Sequence, residues 1–147
     1  KEEISYTVKV EGKEIKVNSF ATLLKAIDEI EGIERIRFIS PHPKDFTDDV
    51  IEAIANNPKI SRIIHLPLQS GNSKVLKEMN RKYTKEQFLS LVDKMKTRIP
   101  DVVFSTDIIV GFPGETEEEF EDTLDVMRKV NFEQAYMFIY SIREGTV

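Results

Sequence analysis

The chain has 147 residues, 40% hydrophobic and 32% charged, a composition that fits one globular domain and excludes a disordered or fibrous chain. No apolar run is long enough to cross a bilayer, and the absence of cysteine excludes disulfides and thiolate metal sites within these residues. Two histidines, His42 and His65, are too few for a self-contained zinc site, and a net charge of −5 argues against the domain alone gripping nucleic acid.

In chain order, "ISYTVKV-EG-KEIKV" predicts a hairpin, and a helix runs from Ser19 to about Glu31, stopped by Gly32. "RIRFIS" (35–40) is a β-branched run, followed by "PHPKDF" and by Thr47, an N-cap for a helix with apolar Val50, Ile51, Ile54 and Ala55. "RIIHLPL" (62–68) is the next strand, and "NSKVLKEM" opens a helix. Thr84 starts "TKEQFLSLVDKMKTRI", with Phe88, Leu91, Val92 and Met95 on one face and Pro100 beyond its end. "VVFSTDIIVGF" (102–112) is a third strand. Thr116 then caps "EEEFEDTLDVMRKV", whose apolar face reads Phe120, Leu124, Met127 and Val130. "QAYMFIYSI" (134–142) is a fourth strand.

Strands alternating with helices of this length imply parallel pairing through βαβ crossovers. A complete (β/α) barrel usually needs ~250 residues, so this chain predicts either an arc of one or a small doubly wound sheet. Periodicity leaves both open. In either architecture chemistry gathers at the carboxyl ends of the strands. Those ends read Ser40-Pro41-His42-Pro43, Pro67-Leu68-Gln69-Ser70-Gly71, Gly111-Phe112-Pro113-Gly114-Glu115 and Tyr140-Ser141-Ile142-Arg143-Glu144-Gly145-Thr146. Each combines Gly or Pro with hydrogen-bonding side chains.

The strand–glycine–helix passage at "TDIIVGFPGETEEEF" (106–120) has the outline of a phosphate cradle. Glu117, Glu118 and Glu119 in the helix's first turn, with Glu115 just before, would repel a phosphate. Neither GxxxxGK[ST] nor GxGxxG is present. Thr116 with Glu119 three residues on predicts a capping box instead. The acidic surroundings suit a cationic or neutral ligand over the strand end.

"SPHPKDFTDDVIEAI", "HLPLQSGNSKVLKEMNRKYT", "STDIIVGFPGETEEEFEDT" and "FIYSIREGT", in this order and spacing, resemble the radical S-adenosylmethionine domain of tRNA methylthiotransferases of the MiaB type. The resemblance runs from about Ser19 to Val147. It implies an α/β fold, a partial (β/α) barrel with helices on the outer face; the alternation of apolar runs with amphipathic helices predicts at least four parallel strands in a curved sheet, near 35–40, 62–67, 103–110 and 134–141. Residues 19–147 would be the C-terminal part of the barrel, and 1–18 a hairpin or the remnant of a barrel strand.

The activity implied is transfer of a methylthio group to C2 of an isopentenylated adenosine beside the tRNA anticodon. The cationic ligand would then be the sulfonium of S-adenosylmethionine. By motif, Gln69 and Ser70 face its ribose and methionine moiety, and Arg81 grips the methionine carboxylate bidentately. Asp107, at its strand's end, accepts from the ribose or the amino group. Ile109 and the backbone from Phe138 to Tyr140 flank adenine. The superfamily often shows GxIxGxxE on this strand; here Asp107 stands where its first Gly would be, and Glu115 falls one place late. His65 reads as a packed histidine with a backbone partner, and His42, between prolines, as structural on the functional rim.

The family's CxxxCxxC triad, which holds a 4Fe-4S cluster, is absent from the chain. The resemblance therefore implies a stretch of a longer cytoplasmic enzyme with tRNA as partner, inactive alone, with no membrane partner. Its open barrel edge predicts self-association. The alternatives are an enzyme acting on threonylcarbamoyladenosine in tRNA, or a S-adenosylmethionine-binding scaffold without activity.

Overall fold

The computed structural model describes residues 5–39 and 42–142. Strands β1 (Tyr6–Val10) and β2 (Lys13–Val17) pair antiparallel in the predicted hairpin. Its turn is Glu11-Gly12, with φ of 46° and 80°, the left-handed pair that two-residue hairpins require. Helix α1 (Phe20–Asp28) follows, capped by Ser19 in a reciprocal box with Thr22. A 3-10 turn (Pro43–Asp45) leads to α2 (Asp48–Ala55). Thr47 occupies the N-cap position there, but its hydroxyl meets the Asp49 carboxylate rather than a backbone amide.

Strand β3 (Ile63–His65), α3 (Ser73–Glu78) and α4 (Lys85–Arg98) come next, then β4 (Val103–Val110), α5 (Glu117–Val130) and β5 (Gln134–Ile139). The three strands form a parallel sheet in the order β3-β4-β5, with β4 central. This is the α/β architecture the alternation predicts, and among the described residues the sheet is open.

The 35–40 run departs from expectation. Among its described residues it contributes one parallel bridge, Ile36 to Ile60, in place of a strand. The Ile36 amide and carbonyl bond Lys59 and Ser61, just before β3 begins. Beyond that point its described residues make no further backbone pair with a strand: Phe38 packs edge-on against Phe20, and Ile39 is 82% exposed. β-propensity alone does not make a strand without a neighbour to pack on.

Side-chain alternation along β4 sets up the site. Phe104, Thr106 and Ile108 are buried in the core with Leu24, Ile54, Phe88 and Val126 from the helices. Ser105, Asp107 and Ile109 therefore point to the opposite face, since successive side chains alternate. Neighbouring helices α1, α2, α4 and α5 pack side by side over the buried face. α5 presents Thr123, Val126 and Val130 to the core, a stripe turned from the expected one because Thr123 has a polar partner there.

The capping box of Thr116 and Glu119 is present: the Thr116 hydroxyl accepts from the Glu119 amide at 3.3 Å, and the Glu119 carboxylate accepts from the Thr116 amide at 2.9 Å. Thr116→Ala is expected to lower stability by about 1 kcal/mol, read as a lower urea midpoint with an unchanged slope.

Candidate functional site

The ladder between β3 and β4 breaks at Pro67, which has no N–H to donate. Leu66 still donates to the Ser105 carbonyl at 2.8 Å. The Leu68 amide turns instead to the buried Thr106 hydroxyl at 2.9 Å. Gln69 then rejoins β4, donating to the Asp107 carbonyl at 2.8 Å and accepting from the Ile109 amide at 2.9 Å. It does so with φ at +67°, a conformation that costs a non-glycine residue roughly 1–2 kcal/mol.

Strain of this kind persists only where neighbours impose it, and they are on hand. The buried Tyr83 hydroxyl reaches the carbonyls of Pro67 and Leu68 at 3.0 and 3.1 Å. Burial pushes the Tyr83 pKa up to about 12, so it stays a donor at any physiological pH. On the other side the Gly71 amide donates to the Thr123 hydroxyl of α5 at 2.8 Å, and the Asn72 amide side chain donates to Asp122 at 2.7 Å. Lys85 and Asn72 hold the Asp122 carboxyl below its ordinary pKa. Gln69 is thus clamped between α5 and Tyr83.

Asp107 lies inside β4, three residues before its last residue Val110, rather than at the strand's end. Its Oδ2 is 3.3 Å from His65 Nε2, and His65 Nδ1 is 3.0 Å from the Ser105 hydroxyl. His65 is therefore packed as expected, but its partners are side chains, not backbone. Tyr136 of β5 lies opposite Asp107 in register and turns its ring toward His65, with centroids 6.2 Å apart.

The Gly111–Glu115 turn is closed from within. Glu115 Oε2 accepts from the amides of Gly111 at 2.7 Å and Phe112 at 3.3 Å. Gly111 and Gly114, with φ of 71° and 81°, supply the left-handed backbone this needs. Amides already held by a carboxylate cannot cradle a phosphate, so the turn is a rim support. It also seats Phe112 edge-on against Tyr140, with centroids 5.1 Å apart.

Between the ends of these strands lies a groove of about 480 Å3, a size typical of small-molecule sites. Gln69, Asp107 and Ile109 line it together with Phe138, Ile139, Tyr140 and Ser141 from the neighbouring β5 and its C-terminal end. Of the residues named from motif, Gln69, Asp107, Ile109 and Phe138 to Tyr140 are brought together here, joined by Ser141 of the rim.

Ser70 does not reach the groove. Its side chain is fully buried, 3.4 Å from the Thr123 hydroxyl and accepting from the Asn72 amide at 3.2 Å, so it anchors the loop. Arg81 does not line the groove either. It lies near Tyr83 and His42, and its Nε is buried with no hydrogen-bond partner among the described residues. His42 accepts from the Lys44 amide and packs edge-on against Tyr83, which is a structural role. Burial, with Lys44 adding to it, lowers the His42 pKa. Ser40, Pro41 and Arg143 to Thr146, also named at the rim, fall outside the described residues.

Thr123 and Tyr83 hold the site together, and the motif reading passed over both. The one sequence signal was a threonine spaced three and seven residues before Val126 and Val130, on the core stripe of α5.

A family model described as the radical SAM superfamily matches residues 6–127. A tRNA-2-methylthio-N(6)-dimethylallyladenosine synthase of Fusobacterium nucleatum is 62% identical over 136 residues, covering 92% of this chain and 31% of the relative. A synthase of the same name from Caldicellulosiruptor saccharolyticus is 60% identical over 127 residues, covering 86% of this chain and 27% of the relative. The chain thus spans about a third of the length of these relatives. The coproporphyrinogen III oxidase of Escherichia coli, titled a radical SAM enzyme, superimposes with a TM-score of 0.60 at 20% identity, over 81% of this chain and 27% of that one. That likeness bears on the fold alone.

Proposed function

The chain belongs to the radical SAM superfamily, and from that premise we propose that its groove binds the adenosyl part of S-adenosylmethionine. The full-length protein would use it in the cytoplasm to methylthiolate C2 of N6-isopentenyladenosine in tRNA. The observation that carries the binding reading is Asp107. One carboxylate oxygen is tied to His65, and the side chain borders the groove beside Gln69, with Ile109 and its register neighbour Phe138 further along the same face.

A carboxylate with a free oxygen suits a ribose hydroxyl or an ammonium group. The Gln69 side chain adds an amide donor and acceptor at the groove, and Ile109 beside Phe138 forms an apolar floor for a purine. Tyr140, with Phe112 edge-on against it, lines the same groove. Arg81, whose Nε has no hydrogen-bond partner among the described residues, remains the proposed partner of the methionine carboxylate. Ser70 is kept out of this ligand set and given the loop instead.

Reductive cleavage of S-adenosylmethionine belongs to an iron–sulfur cluster, which needs thiolate ligands. This chain has no cysteine, so its residues do not fit that group. What they do is bind, orient and shield the nucleoside. The tRNA reading rests on the names of the relatives.

The test is nucleoside analysis of tRNA after anaerobic turnover by the reconstituted full-length protein. The expected product is 2-methylthio-N6-isopentenyladenosine. Modification of threonylcarbamoyladenosine instead, or no tRNA product, overturns the substrate assignment. In the same protein Asp107→Asn is expected to weaken S-adenosylmethionine binding by roughly 1.5–3 kcal/mol, the worth of a hydrogen bond to a charged group, with iron content unchanged.

A further inference from the structure

The inner face of the sheet carries a chain of three side chains that the ligand set above does not use in full. Ser105, His65 and Asp107 lie on neighbouring strands, with His65 opposite Ser105 in register and Asp107 two residues further along the same face. The imidazole spans the step, its Nδ1 at 3.0 Å from the Ser105 hydroxyl and its Nε2 at 3.3 Å from Asp107 Oδ2.

The donor and acceptor inventory fixes how the chain runs. An ionised carboxylate accepts only, so Nε2 carries the proton and donates to Asp107. In the neutral imidazole Nδ1 then accepts, and the Ser105 hydroxyl donates to it. Each group has one role, and the direction is Ser105 to His65 to Asp107. The side chains of His65 and Asp107 are 18% and 29% exposed, so water competes only partly with the contact.

Asp107 needs such a partner. It sits at the boundary of two hollows, the groove at the strand ends and a space of about 250 Å3 that extends along the inner face past His65 and Tyr136. A carboxylate there could turn toward either. Tethering Oδ2 from the β3 side leaves Oδ1 for whatever occupies the groove. The neighbouring Tyr136, opposite Asp107 on β5, limits swing in the other direction.

We infer that His65 is a positioning residue, held in one tautomer by Ser105, that sets the Asp107 carboxylate for its ligand in the groove. The inference rests on the reading that this ligand is S-adenosylmethionine. His65 does not itself line the groove, so its influence passes through Asp107.

The experiment is calorimetric titration of S-adenosylmethionine into the reconstituted full-length protein. The variants are His65→Leu, His65→Gln, Ser105→Ala and Asp107→Asn, with the His65→Leu/Asp107→Asn double variant. His65→Leu is expected to lose on the order of tenfold in affinity, the scale of one hydrogen bond to a charged group. His65→Gln, whose amide N–H can stand in for Nε2–H, should stay within about threefold of the parent. In the Asp107→Asn background, removing His65 should add less than about twofold, because coupled residues are not additive. Nitrogen NMR of the His65 ring should show the Nε2–H tautomer, and Ser105→Ala should shift that signature.

Unchanged affinity in His65→Leu, alongside a loss in Asp107→Asn, would overturn the positioning role and leave the groove reading intact. An equal loss in both backgrounds would reduce His65 to a packing residue and overturn it as well. Should His65→Leu not fold, Ser105→Ala decides alone: a shifted tautomer with weaker binding supports the role, and a shifted tautomer with unchanged binding contradicts it. An Asp107→Asn variant that binds as the parent does would instead overturn the assignment of the groove.

Discussion

Gly71→Ala is expected to destabilise the fold by about 3 kcal/mol or more, the largest single-residue effect at this site. A Cβ on Gly71 would lie 2.5 Å from the Thr123 Cα and 2.6 Å from the Asp122 carbonyl oxygen. Both are helix backbone, which cannot rotate aside as a side chain can. Either the loop or α5 must retreat. Retreat stretches the Gly71 bond to the Thr123 hydroxyl and leaves a buried N–H without a partner, which costs roughly 1–3 kcal/mol by itself. Overpacking adds a similar amount.

The constraint here is space rather than backbone conformation, so serine should fail as alanine does. Because Gly71 follows Gln69 and Ser70, the variant should also weaken ligand binding by more than its stability loss explains. Urea denaturation measures the first effect and calorimetry on the folded fraction the second. A midpoint shift worth less than about 1 kcal/mol would mean that the loop is not wedged against α5.

The second large effect is all-or-none. After anaerobic incubation with iron and sulfide, the 147-residue chain is expected to retain no cluster. It should also release no 5′-deoxyadenosine from S-adenosylmethionine with a strong reductant. Cluster assembly requires thiolates, and the chain has no cysteine. No group of three or more His, Asp or Glu among the described residues is placed to hold a metal ion. Iron retained at one cluster per chain after desalting would contradict this, as would turnover by the chain alone.

Much of the local structure was legible in the sequence because its causes are local. Ser19, Thr84 and Thr116 each start a helix through a capping box, a contact spanning three residues. Glu11-Gly12 fixes the hairpin, and alternating apolar runs with amphipathic helices announced the parallel sheet. The rim was legible through its motifs, and most of the residues named from them line one groove.

What could not be read depends on contacts between distant segments. Thr123 matters because the Gly71 amide, 52 residues away, points at it. His65 pairs with side chains 40 and 42 residues on, where the sequence offered only strand alternation and hence a backbone partner. Ser70 turned inward for the same reason, since α5 supplies the polar atom it meets. The 35–40 run had the composition of a strand, but composition says nothing of whether a partner edge continues beside it. Its one bridge, at Ile36, lies just before β3 begins, and its described residues do not stay paired along β3's open edge.

The groove lined by Gln69, Asp107 and Phe138 to Tyr140 is expected to seat the adenosyl group of S-adenosylmethionine. That seating is tested most directly by a crystal structure of the full-length protein with that ligand bound. Adenine is expected against the face formed by Ile109 and Phe138, with a ribose hydroxyl or the amino nitrogen at about 3 Å from Asp107 Oδ1 while Oδ2 remains on His65. A ligand bound with its adenosyl group clear of Asp107, Gln69 and Phe138 would contradict it.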